Sequence, residues 1–275
     1  MSEGIFVFWE GFMKAYIYAA RTAMETMMAY RFQVWTYTVM QCLMMIAVGF
    51  FWRAVYGGAE SSNGVTDETM VTYTVISNLV STLYYMGVED RVTDAVKSGS
   101  IATDLIKPVN LFGLYFAEDM GCILFNLVFG ALPLFIVSVF VFGLPAPASG
   151  AHLCFFLASF ALGYGINWTF SAVFSLIAFT AIDLGPVFSI KYHFVNMLSG
   201  AIIPLWFFPE WLQKALYFLP FVYMYQEPLS MYIGKYDLSE CLWKLGVQAI
   251  WLAALLGIFM FAQKRAERRV LVQGG

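Results

Sequence analysis

Few residues of this sequence have the types and spacing that catalysis or metal binding requires. The two histidines, His152 and His193, have no carboxylate or cysteine at metal-ligand spacing, and we interpret both as structural. The four cysteines include no C-x-x-C pair, so neither a zinc site nor a disulfide framework is implied. The sequence also lacks a G-x-x-x-x-G-K-[ST] phosphate loop and a G-x-S-x-G nucleophile motif. We therefore expect no catalytic residue, no metal and no cofactor bound by this chain.

Glu118 and Asp119 come nearest to a paired acid site. Neighbouring residues on a helix point about 100° apart, so these two carboxylates cannot share a proton as a catalytic dyad does. Their place just before a long uncharged stretch is typical of a helix end at a membrane interface. The alternative is a proton or cation site, because acidic residues inside a membrane are costly and commonly functional.

The composition places the elements that carry these residues in a membrane. Hydrophobic residues make up 61% of the 275 residues and charged residues 12%, and the mean hydropathy is +0.73. An ordinary soluble domain has about 25% charged residues, and a globule this apolar could not cover its surface in water. The net charge of −3 argues against a nucleic-acid partner. We therefore predict an all-α integral membrane protein.

Long stretches with at most one charged residue predict six membrane crossings, because a spanning helix needs ~20 apolar residues; the fourth stretch is longer than a bilayer requires. We place them at residues 32–52, 69–88, 121–142, 151–182, 192–208 and 241–262. Residues 210–240 mix aromatic residues, prolines and charges, which predicts an external re-entrant hairpin of short helices shielded by protein. The chain, 1–275, is thus expected to be one transmembrane domain. Spans one to five lie within 31–209, and a tail follows at 263–275.

The N-terminal residues 1–30 predict an amphipathic helix that lies in the membrane interface. Glu10, Lys14, Arg21 and Glu25 follow one another at intervals of four, seven and four residues, which places them on one stripe of a helix. The other faces are apolar, as in helices that lie at the level of the lipid headgroups. The alternative is a first transmembrane helix that tolerates a few charges.

The distribution of basic residues predicts the orientation. With the N-terminus on the cytoplasmic side, 11 lysines and arginines lie inside and 4 lie outside. Positively charged residues are retained on the cytoplasmic side of membrane proteins. Both termini and the charged segment 89–110 are therefore expected in the cytoplasm, and residues 210–240 outside.

Two segments have the polarity that a transporter needs. The second crossing is too polar to face lipid on every side, so it is expected to face other helices or an aqueous path. Residues 89–108 are charged, contain the Ser98-Gly99-Ser100 break, and connect two crossings directly. A short helix in this segment could dock into a groove of a soluble ATPase. The alternative is a plain solvated loop.

Three stretches carry a resemblance to a known family. They are SGSIATDLIKPVN at 98–110, LSGAIIPLWFFPEWLQKALYFLPFVYMYQEPLSMYIG at 198–234, and AERRVLVQGG at 266–275. In this order and spacing the chain resembles the permease subunits of type-2 ABC transporters, and most of all a bacterial subfamily of exporters without an assigned substrate. The likeness covers nearly the whole chain.

The resemblance implies a complex of two permease subunits, identical or related, with two separate ATPase subunits that bind ATP and Mg. It also implies a coupling helix near 89–104, where the candidate residues are Arg91, Asp94, Lys97, Gly99 and Asp104. The substrate path would lie between the two permeases and be formed by the second and fifth crossings. Its candidates are Asn78, Ser81, Thr82, Tyr85, Asn196 and Ser199. Each of these could instead make an ordinary hydrogen bond between helices.

The functional hypothesis is an ABC exporter subunit in the bacterial cytoplasmic (inner) membrane, surrounded by lipid. Aromatic residues and methionines accompany the polar path candidates, which suits an amphipathic or hydrophobic substrate such as a drug, a peptide or a lipid-like molecule. The alternative is a stand-alone secondary transporter or channel. That class predicts a charged site within the membrane and commonly an internal repeat, and the sequence indicates neither.

Overall fold

The protein is almost entirely helical. The computed structural model describes residues 2–57, 61–62, 65–106, 108–143, 146–180 and 184–273, with side-chain surroundings from residue 13 to residue 266 except at 61–62. It is 84% helical, which confirms the all-α class. The α-helices are α1 Ser2–Ala29, α2 Arg31–Tyr56, α3 Asp67–Leu83, α4 Val88–Ser98, α5 Ile101–Ile106, α6 Leu111–Asn126, α7 Leu132–Phe142, α8 Gly150–Ser175, α9 Gly185–Leu198, α10 Glu210–Tyr217, α11 Gln226–Tyr232 and α12 Leu238–Gln273.

Short elements complete the chain. A π-helical turn, Leu127–Ala131, joins α6 to α7 without a break. Strands β1, Ser61–Ser62, and β2, Val65–Thr66, pair antiparallel in the region predicted as a polar loop. The 3-10 turns are Leu176–Phe179, Leu205–Phe207 and Phe221–Tyr223.

Four helices in the described part of the chain are long and apolar enough to cross a membrane. They are Arg31–Tyr56, Leu111–Phe142, Gly150–Phe179 and Leu238–Ala266. The shortest has 26 residues, or about 39 Å at 1.5 Å per residue, which exceeds the ~30 Å hydrocarbon core. They correspond to the predicted first, third, fourth and sixth crossings, and the membrane class is confirmed.

The predicted second and fifth crossings correspond to shorter helices. Helix α3 has 17 residues and α9 has 14, so they extend only about 26 and 21 Å. The count of six crossings therefore stays a prediction. Helix α1 has 28 residues, yet it is not among the four apolar helices. Its predicted place at the interface is likewise untested.

Several helix ends differ from the bounds predicted for the membrane crossings. Helix α6 begins at Leu111 and not at 121, because the Asn110 side chain caps it by accepting a hydrogen bond from the Gly113 N–H at 2.7 Å. Helix α9 begins at Gly185 and ends at Leu198, whereas the crossing was predicted at 192–208. Gly200 then adopts a φ of +85°, a left-handed conformation that turns the chain away from the helix.

Two further predicted ends differ or lie outside the described residues. Helix α3 ends at Leu83, whereas the crossing was predicted to end at 88. The hydroxyl of the next residue, Tyr84, donates to the Met224 carbonyl at 3.0 Å. The predicted end of the fourth crossing, at 182, lies outside the described residues. Helix α12 continues through the predicted tail as far as Gln273.

The segment between the predicted fifth and sixth crossings consists of short helices, as its broken sequence predicts. Every residue of α11 is buried. The Gln226 side chain accepts hydrogen bonds from the Tyr73 hydroxyl at 2.9 Å and the Leu205 N–H at 3.0 Å. The backbone N–H of Gln226 donates to the Ser199 carbonyl at 2.9 Å. The polar groups of this segment are thus shielded by α3 and the end of α9.

Candidate functional site

A cavity of about 780 Å³ lies between α2, α3 and α9. Its walls combine aromatic rings, thioethers and amides, with one acidic and one basic side chain. The described lining residues are Met27, Tyr30, Gln33, Val34, Thr36, Tyr37, Met40, Ser81, Thr82, Tyr84, Tyr85, Met86, Glu89, Asn126, Asn167, Lys191, Tyr192, Val195, Asn196 and Tyr225. Pockets of about 300–1,000 Å³ with mostly apolar walls and a few placed polar groups are typical of small-molecule sites.

Four of the six predicted path residues line this cavity: Ser81, Thr82, Tyr85 and Asn196. The other two do not. The Asn78 amide donates to the Thr74 carbonyl at 2.9 Å, one turn back in its own helix. Ser199 is fully buried. The contribution of all six residues to a substrate path between two permeases stays a prediction.

Sequence reasoning missed two amides and an ion pair in the cavity wall. Asn126 and Asn167 project from α6 and α8, which were not predicted to contribute to the path. Both amides stand in a stretch, 120–182, that contains no charged residue. An amide in such a stretch needs a polar partner or a polar cavity, and that signal could have identified both residues.

The ion pair joins Glu89 of α4 to Lys191 of α9. The Lys191 ammonium donates to Glu89 Oε1 and also to the Ser171 hydroxyl, the latter at 2.8 Å. Burial raises the pKa of the Glu89 carboxyl, and the positive charge of Lys191 opposes this shift. The first residues of α4 therefore connect directly to the cavity wall.

A second ion pair lies in the same turn of α4 and joins it to α6. The Nη1 of Arg91, a predicted coupling residue, donates to Asp119 Oδ1 at 2.5 Å, and its Nε lies 2.8 Å from Glu118 Oε2. Its role in coupling stays a prediction. Burial lowers the pKa of the Arg91 guanidinium, but the two carboxylates raise it by more. Arg91 is thus an internal connection between α4 and α6.

Asp119 is the centre of this arrangement. It is 0% exposed, and besides Arg91 it accepts hydrogen bonds from the Gly87 N–H at 3.0 Å and the Trp168 indole at 2.8 Å. The interpretation of Asp119 as a helix-end cap is wrong, because α6 begins eight residues earlier at Leu111. Three donors from three segments compensate the burial of its charge.

The remaining predicted coupling residues lie on the surface of the α4–α5 segment. Asp94 and Lys97 are exposed on α4, opposite its buried valines and Ala95. Gly99 is exposed and has a φ of +77°, which ends α4 and starts the turn into α5. Asp104 is half-buried on α5. The predicted short helix of this segment is therefore present and amphipathic.

A third ion pair lies in the short-helix region. Glu227 of α11 is 0% exposed, and Lys244 of α12 donates to its Oε1 at 3.0 Å. Burial raises the pKa of the Glu227 carboxyl and Lys244 opposes this shift. This pair fastens α11 to α12.

His152 joins the start of α8 to the chain just before α12. His152 Nδ1 lies 2.8 Å from the Ser149 hydroxyl and its Nε2 lies 3.0 Å from the Tyr236 carbonyl oxygen. Across the described residues, no group of three or more histidine, cysteine or acidic side chains is arranged to hold a metal ion.

Spanning helices, a polar and aromatic cavity, and an amphipathic helix tied to the cavity wall define a membrane protein of the transporter class. A family model described as ABC-2 family transporter protein matches residues 42–274. The chain therefore belongs to the ABC-2 family of transporter proteins, as its resemblance predicted. It is a permease component of an ABC transporter, a membrane subunit without an ATPase site of its own, and the family implies partnership with ABC ATPase subunits in general. A search of curated proteins found no significant match.

Proposed function

We propose that this chain is the membrane-spanning subunit of an ATP-driven exporter that moves an amphipathic or hydrophobic substrate out of the cytoplasm by alternating access. The motor would be two separate ATPase subunits, which hold ATP and Mg. A second permease, identical or related, would complete the substrate path. The membrane would be the bacterial cytoplasmic membrane, with both termini on the cytoplasmic side.

One observation carries the proposal: α4 is bound to the cavity wall on one side and exposed on the other. Its buried side is held to α9 through Glu89–Lys191 and to α6 through Arg91–Asp119. Separating these pairs would leave buried charges without partners, which is costly, so a movement of α4 is transmitted to α6 and α9. The exposed side presents Asp94 and Lys97 to a partner.

The direction of transport is supported by two sequence properties. The bias of basic residues predicts that α4 and α5 face the cytoplasm, where ATP is present. The resemblance to the exporter subfamily supports transport of the substrate out of the cytoplasm. The apolar and aromatic cavity wall supports a substrate that partitions from the membrane or the cytoplasm into the protein.

The proposal is tested by co-purification and by transport. The full chain is co-expressed with candidate ABC ATPases from the same genome, and the complex is reconstituted in proteoliposomes. We expect an ATPase to co-purify in mild detergent, and substrate efflux to require ATP hydrolysis. Transport by the purified chain alone, without nucleotide, would contradict the proposal and favour a secondary transporter.

The coupling surface is tested by exchanging its charges. In the variant Asp94→Lys/Lys97→Glu, both exposed side chains of α4 reverse sign, so we expect the ATPase to dissociate during purification. Lys214→Glu, on the exposed face of α10, is the matched control, because its side chain is 79% exposed and lies in the region predicted to be external. Equal ATPase recovery with the wild type, the Asp94→Lys/Lys97→Glu variant and Lys214→Glu would show that the motor docks elsewhere.

A further inference from the structure

The cavity has a sign preference that its size and apolarity do not reveal. In the described lining, Glu89 and Lys191 are the charged residues, and each neutralises the other. The Lys191 ammonium is shared between Glu89 and the Ser171 hydroxyl, so its charge is already compensated twice. An anionic guest would have to take Lys191 from both partners and would place a negative group beside Glu89.

The rest of the wall is suited to a positive charge. Six tyrosines line the cavity, and their rings are electron-rich on both faces. Tyr30, Tyr37 and Tyr192 are more than half exposed, so their faces are open to a guest. Tyr37, Tyr192 and Tyr225 lie near enough to interact electrostatically, and they therefore surround one part of the cavity. An organic cation gains affinity from each ring face that it contacts.

The remaining lining residues determine which uncharged groups such a guest can carry. Met27, Met40 and Met86 offer polarisable thioethers, which adapt to aromatic and aliphatic groups of different shape. The amide oxygens of Asn126 and Asn167 can accept from, or lie against, a positive group. The volume of about 780 Å³ is sufficient for a molecule of drug size.

We propose that the cavity between α2, α3 and α9 binds lipophilic organic cations, with the positive charge held by the faces of the tyrosine rings. The proposal rests on the proposed function only in making this cation the cargo. Binding itself requires neither ATP nor the motor.

The test uses two ions of nearly equal size and shape and opposite charge, tetraphenylphosphonium and tetraphenylborate. The full chain is placed in lipid nanodiscs, and the binding of each ion is measured by calorimetry against empty nanodiscs. We expect saturable binding of the phosphonium, at least about tenfold tighter than that of the borate, which is the scale of one or two ring contacts. Absence of phosphonium binding, or equal or tighter borate binding, would overturn the proposal.

Variants of the ion pair separate charge recognition from damage to the fold. Lys191→Met leaves Glu89 free for the guest and is expected to tighten phosphonium binding by roughly threefold or more. Glu89→Gln removes the carboxylate that neutralises the Lys191 charge and should weaken phosphonium binding by a similar factor. A disturbed fold would weaken binding in both variants, and so a loss in both, or no change in either, counts against the proposal.

A pair of substitutions at one tyrosine gives an independent check. Tyr192→Phe keeps the ring, whereas Tyr192→Leu keeps only apolar volume. We expect the leucine variant to bind the phosphonium at least about threefold more weakly than the phenylalanine variant. Equal affinities would show that apolar contact alone holds the guest. Since no nucleotide is present, failure here leaves the ATP-driven motor untouched, and failure to find an ATPase leaves this binding result standing.

Discussion

Arg91 Nη1 and Asp119 Oδ1 lie 2.5 Å apart and join α4 to α6 across 28 residues of sequence. The contact is made on the fully buried Asp119, which also holds the turn before α4 through the Gly87 N–H and holds α8 through Trp168. One carboxylate therefore fixes three segments around the end of α4 that leads to the cavity.

The first prediction concerns the removal of that carboxylate. Asp119→Ala leaves the Arg91 charge with only Glu118, and leaves the Gly87 N–H and the Trp168 indole unpaired. We expect a loss of about 3 kcal/mol or more in the free energy of unfolding, measured as thermal unfolding in detergent. Asp94→Ala is the control, since its exposed side chain should change stability by no more than about 0.5 kcal/mol. Comparable losses in the two variants would disprove the role given to Asp119.

The second prediction concerns the close approach of α1 to α6. A Cβ added at Gly121 would meet the Ala20 carbonyl oxygen at 2.0 Å, so Gly121→Ala must push the two helices apart. We expect about 1–3 kcal/mol of destabilisation. The matched control is Gly257→Ala on α12, where nothing lies within 4 Å of the added Cβ. That substitution should stabilise by roughly 0.5–1 kcal/mol, and a stabilising effect of Gly121→Ala in the same unfolding assay would be inconsistent with this contact.

The third prediction concerns the amide of Gln226. Its Oε1 accepts from the Tyr73 hydroxyl and the Leu205 N–H, and its Nε2 lies 3.0 Å from the Ser230 hydroxyl, all in buried surroundings. Gln226→Leu keeps the volume but leaves the buried Leu205 N–H without its acceptor, at about 1–3 kcal/mol, and also removes the bonds to Tyr73 and Ser230. We expect unfolding at markedly lower denaturant concentration.

Gln213→Leu is the comparison for this substitution, because Gln213 makes one hydrogen bond, to the Phe208 carbonyl, from a half-buried position. Its loss should cost about 1 kcal/mol. An equal effect at both glutamines would mean that the Gln226 contacts contribute no more than an ordinary surface hydrogen bond.

The fourth prediction concerns pH. Burial raises the folded-state pKa of Glu227 above the ordinary value of 4.5, so the folded protein binds this proton more tightly than the unfolded chain. The sign follows from linkage. The preference of the folded protein for protonated Glu227 stabilises it fully below about pH 4.5, and this stabilisation is lost as the pH rises through the raised folded-state pKa. In Glu227→Gln the group no longer titrates.

The measurement is the difference in unfolding free energy between the wild type and Glu227→Gln across this pH range. We expect the difference to shift against the wild type as the pH rises. Asp237→Asn should show its change below about pH 4 and with the opposite sign, because hydrogen bonds from the Glu240 backbone N–H and the Ser239 hydroxyl lower the pKa of the exposed Asp237 carboxyl below its ordinary value of 3.8. A constant difference for Glu227→Gln would show that Lys244 compensates the burial completely.

The sequence by itself determined the class of protein and most of its helices. An uncharged stretch such as 120–182 has only one environment that does not expose it to water, which is the membrane. The family likeness followed from motifs in a fixed order, and the match at residues 42–274 confirms it. These properties are local, and so they can be read from neighbouring residues.

The tertiary structure alone decided which charges meet. Glu89, Arg91, Asp119 and Lys191 appear in the sequence as ordinary residues of polar segments, and an ion pair across 28 or 102 residues has no local signature. Only the packing of α4 against α6, α8 and α9 places Arg91 inside the protein and Asp94 outside it. The cavity, its amides and its sign preference arise from the same packing, because a wall made by separate helices exists only once they are assembled.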